Sequence, residues 1–227
     1  SQGQFTVRDQ TARFLGIPVS QVKAIPMEIG GGFGGKIPIY LEPVAALLSR
    51  KTGHPVKLLM TRAGVFEGTG PTPGSYVRLK LGADKSGKLV AGDCYLAFEA
   101  GGYPGSPMFC GCMCIFACYD VPNAIVNGYD VVVNKPKSAP YRAPGSTQVA
   151  FAIETMLDEI AEKIGMDSFD IRLLNAAKEG TRRVDDLVYP RIGCVETMEA
   201  GKASDHYNTP LEGPYRGRGI ATGYWKD

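Results

Sequence analysis

The sequence predicts an α+β fold, a mixed sheet with packed helices, and three observations lead there. Residues 76–82 (YVRLKLG) and 88–98 (KLVAGDCYLAF) alternate around Asp84-Lys85-Ser86-Gly87, the pattern of a β-hairpin with a tight turn. Residues 147–164 carry an apolar stripe of Val149, Ile153, Met156, Leu157, Ile160 and Ile164 at helical spacing. Helical and strand-like segments do not alternate strictly, which argues against a doubly wound parallel sheet.

The other elements follow in order. Phe5, Ala12 and Leu15 predict a helix over 5–15 that ends at Gly16, and Ile17-Pro18-Val19-Ser20 a turn. The apolar-rich run 22–29 (VKAIPMEI) predicts a strand, and 39–50 (IYLEPVAALLSR) a helix that Gly53-His54-Pro55 ends. Val56–Thr61 is expected as a short buried strand, 62–75 as a Gly/Pro/Thr loop and 124–133 as another strand. Residues 99–118 are rich in Gly, Pro, Cys and Met and give no clear period. Pro136–Gly145 is a polar loop, and the long helix after it stops at Gly165. Asp167 is placed to cap a helix over 168–177, and 195–205 reads as a last short helix.

The chain opens on Ser1 without Met, and 216–225 (RGRGIATGYW) reads as the start of a new strand. A piece of a larger polypeptide is therefore expected. Residues 1–214 would form one domain with room for two subdomains, and 215–227 the beginning of the next.

Composition excludes some classes. Over 227 residues, apolar content is 44%, charged content 21% and net charge +2, so nothing electrostatic argues for nucleic acid. No window approaches 18 uninterrupted apolar residues and no signal peptide is evident, so no membrane partner is expected. The cysteines at 94, 110, 112, 114, 118 and 194 form no spaced disulfide framework. A reducing, cytoplasmic compartment is expected.

Gly30-Gly31-Gly32-Phe33-Gly34-Gly35-Lys36 is the most informative run. A stretch this rich in glycine lets backbone approach something closely or hold φ > 0. Between a strand and a helix it would present N–H groups suited to an anionic or oxo ligand. Gly30-x4-Gly35-Lys36 fits most of a phosphate-binding P-loop, but Ile37 stands where a Mg²⁺-binding hydroxyl belongs. Gly30, Gly32 and Gly35 fit GxGxxG, yet no acidic residue stands about 20 positions on for a ribose.

The second Gly/Pro loop, Ala139-Pro140-Tyr141-Arg142-Ala143-Pro144-Gly145, precedes the long helix and adds a guanidinium to a helix start. Cys110, Cys112, Cys114 and Cys118 lack the knuckle spacing of zinc or ferredoxin sites; in an extended segment the first three would share a face. His54 and His206 have no evident partner, which argues against a His-based triad. Glu42 is a candidate base or a helix N-terminal charge, and Glu154 with Asp158 reads as a solvated acidic face.

Taken together, GGGFGGK, YLEPVAALL, LGADKSGKLVAGD, DVPN, APYRAPGSTQ and RGRGIATGYW, in this order, resemble the molybdenum-binding subunit of the xanthine dehydrogenase/aldehyde oxidase family. The resemblance spans nearly all of residues 1–225 and implies the first molybdenum-cofactor domain of a molybdenum hydroxylase. It implies oxidative hydroxylation of an N-heterocycle or aldehyde with oxygen from water. Electrons would pass to [2Fe-2S] and FAD partner subunits or domains in an oligomeric parent.

By the same resemblance Gln2 matches the glutamine that hydrogen-bonds a molybdenum oxygen ligand. Phe33 and Gly34 match the backbone closing over the site, with Gly32 beside them, and Arg142 matches the arginine of the second cofactor loop, next to Ala143. Gln2, Phe33 and Arg142 would thus stand behind the metal's ligands rather than on the metal. Ile37 and Pro144 fall at substrate-pocket positions where purine-oxidising members carry Glu and Phe, so xanthine is not the expected substrate. Ala143 replaces the copper-binding Cys of carbon monoxide dehydrogenases. The family's catalytic Glu is expected in a later domain, so no catalytic residue is assigned here. The isolated chain is expected to be inactive and to hold no cofactor. Two alternatives are a non-catalytic domain and, more distantly, a phosphate or nucleotide binder using Gly30–Lys36.

Overall fold

A computed structural model describes residues 1–225; Lys226 and Asp227 lie outside the described residues. The chain forms two compact units, each treated by itself below. The first comprises Ser1–Gly74, Glu99–Ser106 and Val131–Arg142; the second comprises Ser75–Phe98, Pro107–Asp130 and Ala143–Asp227. No helix among the described residues is long and apolar enough to cross a membrane.

In the first unit, α1 (Gln4–Leu15) ends as expected at Gly16, whose φ of 63° is left-handed. The turn after it is a short 3-10 helix, Val19–Gln21. α2 (Glu42–Thr52) carries Pro43 in its first turn and stops at left-handed Gly53. Three expectations fail here. Residues 22–29 and 56–61 are not strands, and Ile25, Met27 and Leu59 stand exposed. Both runs are apolar enough for a strand, but no neighbouring strand among the described residues pairs with them. The expected 62–75 loop begins instead with α3 (Arg62–Gly68), capped by the Thr61 side chain, which accepts from the Gly64 N–H at 3.0 Å. Apart from Pro73, the buried hydrophobic residues of this unit are only Ala12, Ala100 and Ala139.

The second unit holds the large core. β1 (Ser75–Ala83) pairs antiparallel with β2 (Leu89–Gly101), running from Ser75 opposite Phe98 to Ala83 opposite Leu89 with an irregularity at Gly82/Ala83. Their turn is the predicted one. The Asp84 carboxylate accepts from the Ser86 hydroxyl and from the N–H groups of Ser86 and Lys88, which hold it below its usual pKa. Gly87 supplies a φ of 87°. β3 (Ala124–Val132) completes a sheet of order β1-β2-β3. Gly92 N–H donates to Asn123 O and Val133 N–H to Gly101 O, so residue numbers rise together along β2 and β3 and the sheet is mixed.

β2 turns Leu89, Cys94, Leu96 and Phe98 inward, where they meet Val149, Ile153 and Leu157 of α5 (Ser146–Ile164). Gly92 has no side chain because a Cβ there would lie 2.5 Å from the Phe116 ring. α4 (Met108–Cys114) lies in the region without a sequence period. α6 (Ser168–Asn175) starts at Asp167, whose carboxylate accepts from the N–H groups of Phe169 and Asp170. The last predicted helix is two, α7 (Cys194–Lys202) and α8 (Asp205–Asn208). Residues 216–225 form no strand.

Glu154 and Asp158 are not a solvated pair. Glu154 is buried, and Arg172 of α6, fully buried, donates Nε to Glu154 and Nη1 to Asp158, both at 2.7 Å. The Tyr119 hydroxyl donates to Glu154 Oε1 at 2.5 Å and the Thr222 hydroxyl at 2.6 Å. Burial, and then the carboxylate beside it, push the Tyr119 hydroxyl far above its usual pKa. Burial works against the Arg172 charge, but the two carboxylates more than offset it and keep the guanidinium protonated.

Removing one partner of a buried pair is costlier than removing both. Arg172→Met is expected to lower stability by about 3–5 kcal/mol, read from the urea midpoint. Arg172→Met with Glu154→Gln should recover a measurable part.

Candidate functional site

The glycine run, residue 2 and the Arg142 loop meet within the first unit. Gln2 reaches the run from the N-terminus. Its backbone N–H donates to Lys36 O at 2.8 Å, and its side-chain Oε1 accepts from Gly34 N–H at 2.9 Å and Lys36 N–H at 3.1 Å. Two backbone donors facing one amide oxygen fix which end of the amide lies inward. The Nε2 amino group is left as the donor available to a ligand.

A Cβ would disturb the site at two positions, displacing a side chain at one and meeting backbone at the other. A Cβ on Gly32 would sit 2.3 Å from Cδ and Oε1 of Gln2. Gly34 has φ +95°, and a Cβ there would lie 2.7 Å from the Pro140 carbonyl oxygen. The second loop therefore packs backbone against backbone, and Arg142 N–H donates to Phe33 O at 2.8 Å. Phe33 itself is left-handed, with φ 51°, and its side chain is exposed. Ala143, which opens the second unit, is also left-handed, with φ 54°. Non-glycine residues in this region hold strain of order 1–3 kcal/mol and cluster at functional sites.

The Arg142 side chain is exposed and forms no ion pair among the described residues. The Lys36 ammonium is turned back onto the Ile29 carbonyl. Ile37 is half exposed and donates its N–H to Gly34 O at 3.1 Å. It lines a cleft of about 560 Å³ together with Phe14, Tyr40, Val44 and Pro140. Pro144 is half buried, at the start of the second unit.

The structure corrects the expectation of a helix dipole behind the glycines. α2 begins at Glu42, six positions beyond Lys36, and its first turn carries that carboxylate. Glu42 Oε2 accepts the Tyr40 N–H at 2.9 Å, so it acts as a helix-start acceptor rather than a base held toward the loop. The N–H groups of the glycine loop are therefore its own contribution. Sequence reasoning missed Pro140 O, which sets how close the loops come, and Tyr40; the only signal was their nearness to the glycine and arginine motifs.

The cysteine cluster lies partly on a helix. Cys110, Cys112 and Cys114 lie on helical α4, not on one face of an extended segment. No group of three His, Cys, Asp or Glu among the described residues could hold a metal ion. Burial, followed by the neighbouring Cys112 and Asp93, pushes Cys94 up to about 12. Burial likewise raises Cys118 to about 12, although the Thr222 hydroxyl beside it works in the opposite direction. Both thiols are protonated at neutral pH and are poor nucleophiles.

The donor set fits molybdopterin: an exposed guanidinium, an amide N–H2 and glycine backbone with no Cβ in the way suit an oxygen-rich anionic group. Gly34→Ala is expected to cost at least about 2 kcal/mol, combining positive φ with a backbone clash. Gly35→Ala, whose Cβ would meet only Gly32 O at 3.6 Å, should cost clearly less; urea denaturation of both compares them. A second measurement concerns the thiols. An unfolded thiol ionises near 9, whereas folded Cys94 and Cys118 keep their protons to about 12, so stability should fall as pH rises from 9 toward 12. Flat urea midpoints across that range would contradict the burial of these groups.

Known proteins resemble this chain over most of its length. Residues 1–176 match the molybdopterin cofactor-binding domain family. The chain is 34% identical over 205 residues to a probable xanthine dehydrogenase component of Bacillus subtilis, covering 88% of this chain and 27% of that protein. It is 31% identical over 199 residues to the nicotinate dehydrogenase large molybdopterin subunit of Eubacterium barkeri, covering 86% of this chain and 47% of that one. Quinoline 2-oxidoreductase from Pseudomonas putida superposes with a TM-score of 0.84 at 25% identity, over 89% of this chain and 27% of its own. The chain thus spans less than half the length of these relatives. It belongs to the molybdopterin cofactor-binding domain family.

Proposed function

We propose that this chain is one part of the molybdenum site of a hydroxylase acting on an N-heterocycle or aldehyde, with water as the oxygen source. The observation that carries the reading is the Gln2 amide, whose oxygen is committed to Gly34 and Lys36 so that its nitrogen is free to donate. Gln2, Gly32, Phe33, Gly34 and Arg142 would hold molybdopterin, with Ala143 continuing the second loop. When bound, the cofactor supplies the redox chemistry. The chain's own part is to donate hydrogen bonds to its oxygen atoms and to fix their positions through rigid backbone.

The substrate class rests on Ile37 and Pro144. The cleft beside Ile37 is mainly apolar, with Phe14, Pro43, Val44 and Pro140 in its wall. It suits an aromatic ring or an aldehyde's apolar body better than a hydrogen-bonded purine. The names of the relatives include substrates of both kinds, nicotinate and quinoline among the heterocycles and aldehydes beside them. The sequence holds no Gly-Glu-Pro segment of the kind that carries the family's base. We therefore assign the base to a further molybdenum domain and the electron path to [2Fe-2S] and FAD partners. By itself this chain is proposed to bind no molybdenum and to turn nothing over. Residues 1–214 are proposed as one cofactor-binding domain with the cofactor loops in its first unit, and 215–227 as the lead into a following domain, in a cytoplasmic oligomer.

In the complete enzyme, hydroxylation in ¹⁸O-labelled water should place the label in the product; ATP hydrolysis without oxygen transfer would overturn the reading. Gln2→Ala and Arg142→Ala should each lower molybdopterin content or turnover by about tenfold or more. Unchanged content and turnover in both would remove the assigned site. Elemental analysis of the purified 227-residue chain should find no molybdenum, and a stoichiometric amount would refute that part of the proposal.

A further inference from the structure

We infer that Tyr40 is a positioning residue whose phenol hydroxyl ties the glycine loop to the Arg142 loop. The inference rests on the cofactor reading above for its function, but its geometry stands alone. The Tyr40 hydroxyl donates to Gly35 O at 3.3 Å and accepts from Gly70 N–H at 3.1 Å. Gly70 in turn lies against the second loop: a Cβ on it would meet the Ala139 Cβ at 2.5 Å and Lys137 O at 2.6 Å. The next residue completes the connection, because Ala139 N–H donates to Pro71 O at 3.0 Å.

A closed ring of contacts results, all within the first unit. It runs from Gly35 through the Tyr40 hydroxyl to Gly70 and Pro71, on to Ala139 and Pro140, and returns by the close approach of Pro140 O to Gly34. The Arg142 N–H to Phe33 O bond lies at the point where the ring closes. Each other link is backbone on backbone. The phenol is the one side chain in the ring, so it is the one link that substitution can remove without moving the chain. The hydroxyl uses its donor and an acceptor site at once, fixing the distance between two segments of the chain, with Gly70 lying 30 residues beyond Tyr40. Without it, Gly34 and Lys36 would keep the Gln2 bonds on one side, but the hydrogen bonding of the glycine loop to the Arg142 loop would rest on the single Phe33–Arg142 bond.

The test uses Tyr40→Phe in the purified chain, with amide exchange by NMR. In the wild type the Gly70 amide should exchange slowly; an amide as fast as in open coil would refute the tie without any variant. Tyr40→Phe should speed Gly70 exchange about tenfold and alter the Phe33 HN–Hα coupling, which reports its φ, with the thermal midpoint nearly unchanged. Unchanged exchange and coupling would overturn the inference. So would a lowered midpoint with uniformly faster exchange, the mark of a merely structural residue. Placing 4-aminophenylalanine at position 40, which restores a donor toward Gly35 O, should recover the Phe33 coupling.

In the cofactor-loaded enzyme, Tyr40→Phe should lower molybdopterin content, measured by the fluorescence of the released pterin. Gln2→Ala should lower it too while leaving Gly70 exchange as in the wild type. If content is unchanged only in Tyr40→Phe, the positioning role is wrong. If it is unchanged in both variants, the cofactor reading fails, and the exchange data still decide the tie.

Discussion

Two missing Cβ atoms govern the candidate site. Gly32 leaves room for the Gln2 side chain, and Gly34 leaves room for the Pro140 carbonyl. Each glycine costs the folded chain roughly 0.5–1 kcal/mol of backbone entropy relative to alanine. In exchange, three segments far apart in sequence come within backbone contact, and the walls of the site become peptide groups rather than side chains. A peptide wall has no rotamers to reorganise, which suits a group that must be held at fixed distances. The left-handed Phe33 belongs to the same constraint: its carbonyl must turn to meet Arg142 N–H, and the chain accepts an unfavourable φ to do so.

The two units are stabilised in different ways. The second buries Phe98, Leu96, Leu157 and Ile171 among a sheet and four helices, α4 to α7, and holds the buried Arg172–Glu154 pair. The first buries no hydrophobic side chain larger than the alanines at 12, 100 and 139 apart from Pro73, so hydrogen bonds and close backbone approach carry most of its definition. Apolar burial is strong but non-directional, whereas hydrogen bonds are weaker and set distances. The proposed cofactor loops lie in the unit that depends on the directional kind. Each lost hydrogen bond there removes little stability but much positional information.

How far the sequence could be read follows from how local each signal was. The hairpin, the long helix and the Asp167 cap were legible because their determinants lie within a few residues of one another. Residues 22–29 and 56–61 misled because an apolar run indicates extended backbone, while a strand also needs a neighbour that no local pattern supplies. Glu154 and Asp158 looked solvated because an i,i+4 acidic pair usually is. The partner that inverts the reading, Arg172, lies 18 residues from Glu154 on another helix. The glycine run was visible as a close-approach element, but what approaches it, Gln2 and Pro140, could be named only through family resemblance in the first case and not at all in the second.

The orientation of the Gln2 amide narrows what the site can accept. With its oxygen facing two N–H donors, a flipped amide would set an N–H2 group against both and lose two hydrogen bonds. The glycine loop thus dictates that the outward end of residue 2 is a donor. The Arg142 guanidinium is donor-only as well, and exposed. The Glu42 carboxylate, the nearest acidic group on the following helix, is engaged by Tyr40 N–H. The side chains left for a ligand are therefore donors. A ligand that donates hydrogen bonds would find no acceptor on either side chain, and a cation would meet a guanidinium. An oxygen-rich, electron-rich group satisfies both available side chains, which is the electrostatic character that the oxo and phosphate oxygens of a molybdenum–pterin cofactor present.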